Sequence, residues 1–140
     1  MSFEHEHSVT TTASPHDVWA LWSDIGSWHC WDPSVQQVAL EGHFAEGAAG
    51  TMILSGGLEA PFVIAIVEPH KRFLDRVTLG DLVINIDHVV APNGNGDDGS
   101  TITVTTHIEG AGADGIGPMV EEDTPKALAA LVEMAESRTG

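Results

Sequence analysis

Ala13-Ser14-Pro15-His16-Asp17-Val18-Trp19-Ala20-Leu21-Trp22, followed by Ser23-Asp24-Ile25-Gly26-Ser27-Trp28-His29-Cys30-Trp31-Asp32-Pro33, is the stretch that decides the fold. Ser14 supplies an N-cap, Pro15 a first helical residue with preset φ, and Asp17 a carboxylate three residues on that can close a capping box. A helix is therefore predicted from about residue 15. Val18, Leu21, Trp22 and Ile25 recur at helical spacing and give it one apolar face. Ser23 or Asp24 can cap a second short helix, ended by Gly26 and then by Asp32-Pro33. All four tryptophans of the chain lie in this stretch, so two tandem helices lined with indole rings are expected between two strands, an arrangement suited to the entrance of a ligand pocket.

Outward from it, residues 3–12 alternate Phe3, His5, His7, Val9 and Thr11 against polar neighbours, which reads as a first strand with that set facing inward. Six more strands are expected at 34–42, roughly 50–55, 60–68, 71–79, 81–91 and 100–109, separated by turns such as Ser55-Gly56-Gly57 and Glu68-Pro69-His70. The polar run Pro92 to Gly99 reads as a hairpin loop. It joins strand to strand and carries no lysine, so it is not a phosphate loop. After Gly110-Ala111-Gly112 the period becomes helical, with Met119, Val120, Ala127, Leu128, Leu131, Val132 and Ala135 on one face. Pro125 either starts this C-terminal helix or kinks a longer one that begins near Ala113. An antiparallel sheet with one apolar face must cover that face, and this helix is the long amphipathic element available to do it. The expected class is α+β: a curved, seven-stranded antiparallel sheet around a long C-terminal helix, with two short helices between strands 1 and 2.

The same residues carry a resemblance that covers nearly the whole chain. Ala13-Ser14-Pro15 with Val18-Trp19, Trp28-x-x-Trp31-x-Pro33, Glu41-Gly42 with Gly47 and Gly50, Val67-Glu68-Pro69 with Arg72-Phe73, His88 ahead of a turn, and Asp123-x-Pro125-x-x-Leu128-x-x-Leu131 follow one another in this order. In that order and spacing the chain resembles the START-like, birch-pollen-allergen-like helix-grip superfamily (SRPBCC), and within it the polyketide cyclase/dehydrase branch. The resemblance implies a helix-grip fold with a cavity between sheet and helix. It also implies a choice among transport, sensing, cyclisation and oxygenase-subunit roles that fold alone cannot make.

Composition narrows the classes of partner. Residues 1–140 suit a single START-like ligand-binding domain, long enough to bury a core and leave a cavity. Twenty-one acidic residues against five basic ones give a formal charge of −16, which repels phosphate backbones and anionic membrane surfaces. Neither nucleic acid nor membrane is an expected partner, and the acidity fits a solvated surface. No apolar run is long enough to span a bilayer and no basic-then-apolar leader opens the sequence, so a cytoplasmic protein is expected. The single cysteine, Cys30, excludes an intrachain disulfide. A homodimer remains open.

His88 is the foremost candidate for chemistry. In the set Leu82, Ile84, Ile86, His88 and Val90 it is the one polar member, so it falls on the buried face, where it either contacts a ligand or is a satisfied core histidine. His107 falls with Thr101, Thr103, Thr105 and Glu109 on the other face and reads as a surface residue. His5 and His7 share a face, but a zinc site needs a third ligand; only His88 is an obvious third, and in the resembled fold the last strand separates it from the first, so their convergence is not implied. No metal and no cofactor is expected. Cys30 beside His29 reads as a buried or idle thiol, and Asp32 as a turn cap. Asp75 and Asp87 give no visible carboxylate pair, and Gly-x-Ser-x-Gly, Walker-type and Cys-x-x-Cys patterns are lacking.

The expected function is binding of a small hydrophobic molecule, aromatic or polyketide-like, in an internal cavity. Its expected lining is Phe62, Ile64, Phe73, Val77, Ile84, Ile86, His88, Ile102, Val104, Leu128 and Leu131, with Trp28 and Trp31 near the mouth. The resemblance also implies a rival, a polyketide cyclase/dehydratase-type enzyme in which His88 or an ordered water moves the proton. A protein-interaction module is a third reading, for which the sequence shows no surplus of exposed apolar residues.

Overall fold

The computed structural model describes residues 2–54, 56–93 and 99–139. Seven strands, β1 (Ser2–Thr11), β2 (Val35–Leu40), β3 (Ala49–Leu54), β4 (Leu58–Glu68), β5 (Arg72–Leu79), β6 (Leu82–Pro92) and β7 (Ser100–Glu109), form one antiparallel sheet in the order β1-β7-β6-β5-β4-β3-β2. Two short helices, α1 (Pro15–Ser23) and α2 (Trp28–Trp31), lie between β1 and β2, joined by a single 3₁₀ turn at Ile25–Ser27. The long helix α3 (Ala113–Thr139) closes the described chain. This is the curved sheet around a C-terminal helix that the periodicities predict, and the helix-grip fold that the resemblance implies.

The local chemistry accounts for the element ends. Ser14 Oγ accepts the Asp17 amide at 3.2 Å and donates to the Asp17 carboxylate at 3.1 Å, while Pro15 opens α1. Gly26 lies inside the 3₁₀ turn instead of ending a helix, and Asp32 stops α2 by turning to the Ser34 amide at 3.0 Å. β4 starts two residues before the expected point because Leu58 pairs with Leu54 across a tight turn, in which Gly56 and Gly57 take positive φ. Ser55, and residues 94–98 of the expected loop after Pro92, lie outside the described residues. Of the two readings of Pro125, the longer helix is correct. Both Pro118 and Pro125 lie within α3, and the carbonyl that Pro125 leaves without an amide belongs to exposed Glu121.

Strand register places one row of side chains across the whole sheet: Phe3, Ile108, Ile84, Val77, Phe62, Gly50 and Leu40 are successive partners from β1 to β2. This row and its neighbours face α3. At Gly50 a Cβ would stand 2.3 Å from the Ala39 carbonyl oxygen and 2.9 Å from the Phe62 ring, so only glycine lets Phe62 lie flat there. One end of the concave face is filled by rings. Phe73 packs against Trp19, Trp22, Trp28 and Phe44 at centroid distances from 5.3 to 6.4 Å, and Trp28 Nε1 donates to the Trp22 carbonyl at 2.9 Å. Burying each such side chain contributes roughly 1.5–3 kcal/mol, so this aromatic end anchors α1 and α2 to the sheet.

Candidate functional site

The unfilled part of the concave face is a cavity of about 330 Å³ between the sheet, the α2–β2 corner and α3. Trp28, Val35, Met52, Val77, Ile84, Ile86 and Val104 form much of its wall, with Ile116, Val120, Ala127 and Leu128 from α3 and with Leu54, Leu58, Leu79 and Met119. Leu58 and Met119 are half-exposed. Polar side chains join this apolar wall at Asp32, Ser34, Asp75, His88, Thr106, Asp123 and Thr124.

Of the residues expected from sequence, the structure brings Trp28, Val77, Ile84, Ile86, His88, Val104 and Leu128 to the cavity wall. Trp31, Phe62, Ile64, Phe73, Ile102 and Leu131 do not line it. All six are buried, and Ile64, Phe73, Ile102 and Leu131 have no exposed surface. Alternation assigns a residue to the concave face but not to a level along the strand, and the rings from α1 and α2 occupy the level of Phe73. Trp31 packs on Trp28 at 6.2 Å, one layer behind the wall.

His88 lies on the wall with its ring stacked on Phe73, centroids 3.9 Å apart and planes 6° from parallel, and with Trp22 edge-on at 5.5 Å. Its neighbour is Asp75, which the sequence reading weighs only for a carboxylate pair with Asp87. Asp75 on β5 is 3% exposed, and its Oδ1 lies 3.8 Å from His88 Nδ1. That separation is too long for a hydrogen bond, and neither atom has another hydrogen-bond partner among the described residues. Thr11 donates to Glu136 at 2.8 Å and Ser100 to the Ala13 carbonyl at 2.8 Å, whereas His5 Nδ1, Trp22 Nε1 and Trp31 Nε1 share the lack of a partner but do not line the cavity. An unmatched buried polar atom costs about 1–3 kcal/mol, so the site holds hydrogen-bonding capacity that the fold does not use.

Burial sets the charges here. It pushes the Asp75 carboxyl up to about 7, against a small pull from its own amide, and the Asp32 carboxylate raises it further. It pushes His88 down to about 4, only partly offset by the Phe73 and Ile86 backbone and by Asp87. Asp32 is also raised, first by burial, against hydrogen bonds from the Ser34 side chain at 2.7 Å and amide at 3.0 Å, and then by Asp123. At neutral pH the imidazole is uncharged beside a carboxyl near its titration midpoint, a pair able to accept and donate a proton.

The other candidates lie elsewhere. His5 and His7 stack at 6.4 Å on β1, and among the described residues no three histidine, cysteine or acidic side chains converge as metal ligands. His107 lies on the opposite face, 2.9 Å from Glu109 and 3.4 Å from Glu4. Cys30 is exposed, not buried, and its Sγ lies 3.5 Å from His29 Nε2 because one turn of α2 turns both side chains outward. Among the described residues no helix is long and apolar enough to cross a membrane.

The sequence matches the polyketide cyclase/dehydrase and lipid transport family over residues 2–136, and the chain belongs to that family. The fold superposes on the di-domain ARO/CYC StfQ from the steffimycin biosynthetic pathway with a TM-score of 0.83 at 10% identity, over 100% of this chain and 52% of StfQ. It superposes on a point mutant of Thalictrum flavum norcoclaurine synthase, in complex with a transition-state analogue, with a TM-score of 0.76 at 15% identity, over 100% and 98% of the two chains. For Ara h 8.0201 the TM-score is 0.74 at 14% identity, over 98% and 99%. This chain thus spans about half the length of StfQ, and identities this low relate the folds alone. No curated protein matches the sequence.

Proposed function

We propose that the protein binds a small, largely apolar molecule, aromatic or polyketide-like in shape, in the cavity between the sheet and α3. The observation that carries this reading is the juxtaposition of a mostly aliphatic wall with two buried polar atoms, Asp75 Oδ1 and His88 Nδ1, that the fold leaves unmatched. Apolar area supplies the driving force for such binding, and a few convergent polar groups fix orientation. Family membership supports a role of this kind.

Cyclase or dehydratase chemistry is the second reading, and the proximity of Asp75 to His88 is what favours it. A neutral imidazole can take an α-proton from a poly-ketone while a protonated carboxyl gives one to a carbonyl oxygen, leaving the pair with no net change in protons. Binding remains the primary reading, because both require the cavity to take up a ligand.

The test is a titration with a neutral apolar fluorophore. One equivalent should bind saturably and change the tryptophan emission, since Trp28 stands in the wall. Absence of saturable uptake would overturn the proposal.

A further inference from the structure

The cavity's polar side chains have a biased charge. Among the described residues three carboxylates line it, Asp75 on β5, Asp32 at the end of α2 and Asp123 on α3, and no lysine or arginine does. They sense one another in sequence: Asp123 raises Asp32, and Asp32 raises Asp75. The imidazole among them, His88, is held neutral by burial, so it offers no balancing charge. The other imidazoles on this face are His5 and His7 on β1; His5 stands in the cross-strand row His5, Thr106, Ile86, Asp75, separated from the carboxyl by two strands, and His7 in the next row, His7, Val104, His88, Phe73. Asp32 is already engaged by Ser34, whereas Asp75 Oδ1 is buried, unpartnered and on the wall.

Resting on the binding function proposed above, we propose that the ligand carries a protonated amine on its apolar body, held at Asp75 with Asp32 and Asp123 completing a negative end to the cavity. An ammonium donates to Asp75 Oδ1 through a charge-assisted hydrogen bond, the stronger class of such bonds, and relieves the mutual repulsion of the three carboxylates. A neutral alcohol satisfies the hydrogen bond but not the charge. A carboxylate adds to the repulsion and is excluded. Because Asp75 must ionise to pair, ammonium binding below its titration point releases a proton, and affinity rises with pH.

The experiment compares 1-naphthylmethylamine, 1-naphthalenemethanol and 1-naphthoate by isothermal titration calorimetry on the full chain. At about pH 8 the amine should bind about tenfold or more tighter than the alcohol, and the naphthoate should not bind. Below about pH 7 the amine's affinity should fall by up to about tenfold per pH unit while the alcohol's stays level. Asp75→Asn should abolish the preference and the pH dependence, with circular dichroism reporting that the variant folds. Should that variant not fold, Asp123→Asn, on half-exposed helix surface, must reduce the amine's advantage severalfold. Alcohol binding as tight as the amine, with no pH dependence, would overturn this inference and leave the apolar binding function standing. Failure of both amine and alcohol to bind would overturn both.

Discussion

Asp75 Oδ1 stands 3.8 Å from His88 Nδ1, and the fold buries both side chains without giving either atom a hydrogen bond. Burial drives their titrations in opposite directions, Asp75 from 3.8 up to about 7 and His88 from 6.5 down to about 4. Each shift leaves its own signature in stability.

Between pH 3.8 and about 7 the unfolded chain has released the Asp75 proton that the folded protein keeps, so this group makes stability fall as pH rises. Between about 4 and 6.5 the unfolded chain holds a proton on His88 that the folded protein lacks, so this group makes stability rise with pH. Each slope reaches up to about 1.4 kcal/mol per pH unit, and in the wild type they largely cancel. With the opposing group removed, Asp75→Asn should itself gain stability with rising pH across the His88 window, and His88→Gln should itself lose it across the Asp75 window. Urea unfolding at a series of pH values reads this directly. Variants whose pH profiles run parallel to wild type would contradict the assignment.

His88→Gln also separates holding a ligand from transforming one. Glutamine keeps hydrogen-bonding capacity and approximate size, so a binding pocket should lose about 1 kcal/mol or less of affinity. General acid–base catalysis would lose about 100-fold or more in rate with affinity nearly kept. Paired affinity and turnover measurements on model poly-ketones check which loss occurs; the account expects the small affinity loss and no turnover in wild type.

Gly50→Ala tests the register of the β2–β3–β4 edge. The added methyl meets the Ala39 carbonyl oxygen at 2.3 Å and the Phe62 ring at 2.9 Å, and the carbonyl belongs to the backbone of the paired strand. Overpacking of this kind costs typically about 1–3 kcal/mol, so thermal unfolding should shift clearly downward. An unchanged midpoint would mean that β2 does not pair with β3 in this register.

Most of the architecture was legible because it rests on periodicities that leave little choice. The alternation of Phe3, His5, His7 and Val9 could serve only a half-buried strand, and the 100–109 run reproduces β7 residue for residue. The polar half of the site was less legible. Phe73, Asp75, Val77 and Leu79 form the same kind of inward-facing set that marked His88, so Asp75 was visible by that rule and Thr106 likewise among Ile102, Val104 and Ile108. Asp32 and Asp123 carried no such signal, since their approach depends on how the α2–β2 corner meets α3 in space. The split between core and cavity was also hidden: Ile64 and Ile102 share a face with Ile84 and Val104, and only the packing of the tryptophan-bearing helices decides which level along the strands is filled.

That distinction yields the most direct test of the central claim. With isotope-labelled methyl groups, titration of a neutral apolar ligand should shift the NMR signals of Ile84, Ile86, Val104 and Leu128, which stand in the cavity wall. Those of Ile64, Ile102 and Leu131, buried away from it, should move little. Saturable shifts confined to the first set are the predicted result. Shifts confined to exposed residues, or none that saturate, would contradict binding in this cavity.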